Sequence, residues 1–142
     1  MKNAIVTGAS NGIGLEISKK LSENNYYVGM IDIDKENLLK ESENISNSVA
    51  IEGDVTNEDS IKNALDTFNK TPDLIVNNAG IVIFGGLEEQ TIEDFKKSVN
   101  VSLIGSYLVS RLAIDSMIKK GSGCIINMSS INGVHPGPGT GG

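Results

Sequence analysis

Short apolar runs alternate with helical stripes along the chain. Ala4-Ile5-Val6 is the first run. Ile13, Ile17 and Leu21 then recur at the spacing of one helix face, with Leu15 to one side. Tyr27 to Ile31 is a second apolar run, and a polar helical stretch follows over about Lys35 to Glu43. Ser48 to Glu52, centred on Val-Ala-Ile, predicts a third strand. Thr56-Asn57-Glu58-Asp59 predicts a capping box, in which the Thr56 hydroxyl and the Asp59 carboxylate satisfy free N–H groups at a helix start. That helix carries Ile61, Ala64, Leu65 and Phe68 on one face and runs to about Asn69. Pro72 ends the connection, and Asp73 to Val76 predicts a fourth strand. Asn77 to Glu89 is the longest predicted loop. Thr91, with Asp94 three residues on, caps a long helix that reaches Lys119, with Gly105 as a point where it can bend. Gly121 to Gly123 breaks it, and Cys124 to Met128 predicts a fifth strand. Ser129 to Gly142 is a loop rich in Gly and Pro.

This strand–helix alternation predicts an α/β fold: a doubly wound parallel sheet with helices on both faces. The expected strand order is 3-2-1-4-5. A ligand then binds at the carboxyl ends of strands 1 and 4, where the order reverses. The turns Thr7 to Gly14 and Asn77 to Gly80 both fall there. Residues 1–142 are expected to form one domain, with no internal repeat or linker before the final loop.

Composition narrows the function classes. Hydrophobic content of 39% and charged content of 21% are those of an ordinary soluble chain. The net charge of -6 argues against nonspecific binding to nucleic acid or anionic membranes. Basic residues stand only in isolated pairs, such as Lys96-Lys97. The single Cys124 excludes an internal disulfide and a zinc cluster, and its apolar strand predicts a buried thiol. No metal site is expected. The first strand begins within a few residues of Met1, which leaves no room for a signal peptide. No apolar run approaches membrane-spanning length. The cytoplasm is the expected location.

The chemistry concentrates at the switch point. Thr7-Gly8-Ala9-Ser10-Asn11-Gly12-Ile13-Gly14 follows strand 1 and opens a helix. In such a turn the backbone can approach a pyrophosphate, and the first helical N–H groups point at it. Gly8 would make the tight turn, Gly12 would allow close approach, and Gly14 would let the helix pack on the strand. The spacing Gly-x-x-x-Gly-x-Gly differs from the common Gly-x-Gly-x-x-Gly fingerprint, and an ordinary strand-to-helix loop has the same look. Asp32 ends strand 2, where a carboxylate can accept both ribose hydroxyls of an adenosine and would repel a 2′-phosphate. No Arg or Lys stands at Ile33 or Asn11 to hold such a phosphate, which favours NAD over NADP. Asp54-Val55 ends strand 3 and can border an adenine. Asn77 can bond across the sheet and hold adjacent loops, while Ala79 and Gly80 are small enough to lie beside a flat cofactor.

Taken in order, these segments resemble the N-terminal part of the short-chain dehydrogenase/reductase family. The matches are Thr7 to Gly14, Asp32, Asn77-Asn78-Ala79-Gly80, Asn100 on the long helix, and Ile125-Ile126-Asn127-Met128-Ser129-Ser130. The resemblance covers the whole chain. It implies a Rossmann-like fold and hydride transfer between a nicotinamide and an alcohol or ketone. It further implies that Thr7 through Gly14 hold the pyrophosphate, with Ser10 and Asn11 in that loop and Ile13 near the nicotinamide. Asp32 would bind the ribose, Asp54 and Val55 would flank the adenine, and Asn78, Ala79 and Gly80 would line the groove. Asn100 would hold a proton-relay water. Ser130 would hydrogen-bond the substrate oxygen.

The chain also departs from that family. The family transfers its proton with a Tyr and a Lys four residues later, and no Tyr-x-x-x-Lys occurs here. By spacing that Tyr would follow Gly142. His135 is the other proton carrier to consider, and in a Pro/Gly loop it reads as a surface residue. The later helix, two further strands and the substrate loop are missing. Strand 5, with Ile125 and Ile126, is therefore expected to be an uncovered edge. The simplest expectation is a fragment of a longer polypeptide. The expected partner is a small alcohol or ketone, and the parent chain is expected to be a homo-oligomer. Two rival readings remain: a cofactor-binding half-domain without turnover, and a nonenzymatic dinucleotide sensor.

Overall fold

A computed structural model describes residues 1–135 and residue 137, so part of the predicted 129–142 loop lies outside the described residues. Five strands form one parallel sheet: β1 (Lys2–Thr7), β2 (Tyr26–Asp32), β3 (Ser48–Glu52), β4 (Leu74–Asn77) and β5 (Cys124–Asn127). Their order is β3-β2-β1-β4-β5, as the alternation predicts, and the fold is a Rossmann-like α/β sheet. The helices are α1 (Gly12–Glu23), α2 (Lys35–Ser42), α3 (Glu58–Phe68), α4 (Ile92–Val99) and α5 (Gly105–Lys120).

Period-two alternation divides the strand residues between two layers. Ile5, Ile31, Ile51 and Ile75 pack with Ile61, Ala64 and Phe68 of α3 and with Val109, Ala113 and Met117 of α5. Val6, Val28, Met30 and Val76 pack on the other face with Leu15 of α1 and Leu38 of α2. Gly29 leaves room for the Phe68 ring: a Cβ there would sit 2.6 Å from it. Below the sheet, Asp73 accepts from the Asn3 N–H at 2.8 Å and pairs with Lys120. These contacts hold its carboxyl below the usual carboxylate range.

Five sequence expectations need correction. First, α1 buries its Ile13, Ile17, Leu21 face only in part: Ile17 and Leu21 are partly buried against the Val6, Val28 and Met30 layer. The buried residues of α1 are Gly14, Leu15, Ser18 and Ser22, and Ile13 is 64% exposed. Packing against the sheet selects the small-residue side because it lets helix and strand approach closely. Second, Thr56 does not cap α3. Asn57 does, accepting from the Ser60 N–H at 2.9 Å, while the Thr56 hydroxyl donates to Asp54 Oδ1 at 2.7 Å. Third, the long helix is interrupted by a π turn over Asn100–Ile104. Gly105 closes that turn by donating its N–H to the Asn100 carbonyl, and a Cβ there would lie 2.7 Å from Val55. Fourth, Cys124 is exposed. On β5 the Ile125 side packs on the α3/α5 layer, while Ile126, on the other side, is 44% exposed. The two remaining helices of the opposite layer cover other strands. Fifth, the 29-residue helical stretch Ile92–Lys120 contains an 18-residue window of mean hydropathy 1.3, long and apolar enough to cross a membrane by length and composition. Interspersed serines and charges hide this from inspection of apolar runs. Its buried residues Gly105, Val109, Ala113 and Met117 face the sheet.

Candidate functional site

The turn after β1 is built from backbone freedom. Gly8 and Gly12 adopt positive φ values of 65° and 52°. Gly14 is forced by contact instead: a Cβ there would sit 2.1 Å from the Gly8 carbonyl oxygen. Nothing lies within 4 Å of a Cβ placed on Gly12, so that side of the turn is open to a ligand. Asn11 is extended and its side chain makes no capping bond to α1. The first turn of α1 contains no acidic residue. An uncapped helix start with free N–H groups suits an anion such as a pyrophosphate.

A clasp ties this turn to the end of β4. The Thr7 hydroxyl oxygen accepts from the Asn78 N–H at 3.1 Å and the Ala79 N–H at 3.0 Å. In return the Asn78 amide donates to the Thr7 and Gly8 carbonyls at 3.0 and 3.1 Å. The two loops at the strand-order reversal are therefore one unit. Asn77 bonds the next layer: its amide reaches the Ser106 carbonyl, Ser110 Oγ and Asn127 Oδ1. Its own Oδ1 is buried without a partner among the described residues.

A second network fixes the acid. Asp32 Oδ2 accepts from the Ser10 N–H at 2.9 Å, and Oδ1 from the Asp34 N–H at 3.0 Å. The Asn37 amide donates to the Ser10 carbonyl at 2.7 Å, and the Asn37 N–H to Asp34 Oδ1 at 3.1 Å. Ser10 is fully buried and Asp32 half-buried. Each carboxylate oxygen keeps a further acceptor site, so the pair can still receive hydroxyls. Asn37 was missed by sequence reasoning, which had no reason to single out one polar residue in a polar helix.

These elements border a groove of about 470 Å³. Of the expected residues, Gly8, Asn11, Ile13, Asp32, Asp54, Val55, Asn78, Ala79 and Gly80 line it. Thr7 and Ser10 are buried and act as supports, while Gly12 and Gly14 shape the turn. The exposed Ile13 thus contributes to the groove rather than to the core. Asp54 holds its own loop by accepting the Thr56 N–H at 2.8 Å.

The two expected catalytic residues do not share a cavity. Ser130 lines a separate hollow of about 370 Å³ with Phe95, Val99, Ser102 and Leu103. Asn100 borders a different depression, next to Asp54, Thr56, Lys96 and Lys97. Ile81 lines both the groove and the Ser130 cavity, so the two adjoin. Ser102 was missed because the π turn, which decides which side chain faces that cavity, leaves no mark in helical periodicity. His135 is exposed.

Comparison with known proteins decides the lineage. The family profile described as short chain dehydrogenase matches residues 2–141. The chain belongs to the short-chain dehydrogenase family. Among curated short-chain dehydrogenase relatives, it is 37% identical to an uncharacterized oxidoreductase of Thermotoga maritima, over 94% of this chain and 55% of that protein. It is 32% identical to an NAD-dependent glycerol dehydrogenase of Listeria innocua, over 91% of this chain and 52% of that protein. It is 34% identical to a probable NADP-dependent dehydrogenase of Haemophilus influenzae, over 94% of this chain and 55% of that protein. The chain thus spans about half the length of the curated relatives it matches.

Proposed function

We propose that this chain is the cofactor-binding part of an NAD-dependent oxidoreductase that interconverts a small alcohol and its ketone. The observation that carries the reading is the groove at the β1/β4 reversal, lined by Asp32 and by the open glycine turn, which adjoin through the Ser10 N–H. The donor set fits a dinucleotide: free helix N–H groups for the pyrophosphate, a carboxylate for the ribose, and small Ala79 and Gly80 beside a flat ring. Asp54 and Val55 would flank the adenine. Asp32 supports NAD over NADP because a 2′-phosphate would meet a carboxylate already held in place by Ser10 and Asp34. The cofactor, when bound, supplies or takes up the hydride.

Ser130 would donate a hydrogen bond to the substrate oxygen. Its Oγ accepts from the Asn132 N–H at 3.2 Å, which leaves the O–H free to point away. Asn100 would contribute by opening the π turn that sets the neighbouring helix face. The family's proton carrier, a Tyr followed by Lys at the fourth position, does not occur in residues 1–142. On this reading the 142 residues form a single cofactor-binding unit without turnover of their own.

Calorimetric titration of the chain with NAD and NADP tests the reading. NAD is expected to bind more tightly than NADP. No binding at millimolar NAD, or tighter NADP, would overturn it.

A further inference from the structure

Only two asparagines of the chain precede a glycine, in the pairs Asn11-Gly12 and Asn132-Gly133. Glycine has no Cβ, so its amide nitrogen can reach the side-chain carbonyl of the residue before it with little hindrance. Such a pair is chemically labile: the nitrogen, once it has lost its proton to water, displaces ammonia from the side chain. The folded structure then decides which pair reacts. The nitrogen must be free of hydrogen bonds and the side chain free to turn.

The two pairs differ in that respect. Asn11 and Gly12 are both exposed, and a Cβ on Gly12 would meet nothing within 4 Å. Asn11 is extended, at φ -156° and ψ 177°, and its side chain makes no cap bond to α1. The Asn11 amide donates to Ser10 Oγ at 3.2 Å. The Asn11 carbonyl accepts the Leu15 N–H at 3.2 Å, but the Gly12 N–H has no hydrogen-bond partner among the described residues. Gly12 opens α1, whose positive end stabilises the amide anion that the attack requires. Asn132 and Gly133 are exposed too, yet the Gly133 N–H donates to the Ser130 carbonyl at 3.1 Å, within a short 3-10 turn.

We propose that Asn11 is a deamidation site, and that its conversion puts a carboxylate into the mouth of the glycine turn. The Gly12 nitrogen forms a bond to the side-chain carbonyl carbon of Asn11 and ammonia leaves. Water then opens the resulting succinimide to aspartate or isoaspartate, and no oxidant or reductant takes part. The new charge stands on the groove wall, at the start of α1. There it competes with a bound anion for the same helix N–H groups, so each converted chain loses affinity for a pyrophosphate. The site rests on the geometry of the turn alone, and the loss of affinity rests on the cofactor reading.

Peptide mass mapping of the 142-residue chain, held at mildly alkaline pH, reads conversion at both pairs. Asn11 is expected to convert about fivefold faster than Asn132, the equivalent of the hydrogen bond on the Gly133 N–H. In urea the two rates should converge, which separates folded geometry from local sequence. NAD at about ten times its dissociation constant should slow Asn11 about tenfold, because only the free chain exposes the Gly12 N–H. Asn11→Asp stands in for the converted chain and is expected to weaken NAD about fivefold, a gap that narrows at high salt. Its urea midpoint should not fall, since Asp also starts helices well. Equal rates in the folded chain, faster conversion at Asn132, NAD that binds without slowing Asn11, or full NAD affinity in Asn11→Asp would overturn the proposal. Faster conversion at Asn11 in a chain that binds no NAD upholds the site and defeats the cofactor reading alone.

Discussion

Replacing Thr7 with Val isolates the clasp between the glycine turn and the β4 loop. The substitution keeps shape and the methyl group, and it removes one acceptor. Thr7 is 1% exposed, so its oxygen works in a dry setting. Two backbone donors, from Asn78 and Ala79, lose their partner. A buried donor left unsatisfied costs about 1–3 kcal/mol. Asn78 and Ala79 are half-buried, so water offsets part of the loss, and the pair should cost about 2–4 kcal/mol. That is a large share of the roughly 5–15 kcal/mol that keeps a typical domain folded. With a urea slope near 2 kcal/mol per molar, the unfolding midpoint should fall by about 1–2 M. Thr7→Ser keeps the acceptor and loses one methyl, so it should cost only about 1 kcal/mol. Urea unfolding followed by circular dichroism reads both variants. The clasp argument fails if Thr7→Val lies within about 0.5 kcal/mol of the unmodified chain, or if Thr7→Ser is equally damaging.

Further outcomes follow from other contacts. Asp32→Ala should weaken NAD about tenfold or more and NADP less, because only NAD gains from the carboxylate; equal losses in calorimetry would refute the ribose role. Gly14→Ala should destabilise the chain by about 1–3 kcal/mol, since the added methyl meets the Gly8 carbonyl; an unchanged urea midpoint would refute it. The Asp73 carboxyl titrates lower in the folded chain than in the unfolded one, with Lys120 the main cause and the Asn3 N–H the second. Its contribution is present above the unfolded value of about 4 and is lost as pH falls through the folded value. Asp73→Asn should therefore flatten the acid side of a urea-midpoint profile below about pH 4, and parallel profiles would exclude the assignment. A panel of ketones with NADH should give no turnover above background; measurable activity would point first to His135.

Much of the fold is legible in the sequence because strand and helix periods differ so plainly. The Ile5 and Val6 neighbours even declare the two layers, one residue for each face. What escapes is decided by contacts between elements. Asn57 caps α3 because Thr56 is taken by Asp54, a competition that two adjacent cap-forming residues cannot reveal. Ile13 has a core-like spacing, yet Gly14 and Ser18 are the residues that meet the sheet. Cys124 looks like a core thiol until its strand is found at an edge. In the candidate site, Asp32 and the glycine turn stand out by residue type and position. Ser102 does not, because one extra residue in a helical turn redirects a side chain without changing composition.

The Asp32–Ser10–Asn37 network has a consequence for redesign. The carboxylate that would choose the cofactor is also a fastener, bonded to the Ser10 and Asp34 amides. Exchanging it for a residue tolerant of a 2′-phosphate would release the Ser10 peptide and leave Asn37 alone to secure it. Changing coenzyme preference is thus not a one-position problem. A workable switch must supply a new acceptor for the Ser10 N–H together with the new charge, so positions 10, 32 and 37 have to be varied as a set.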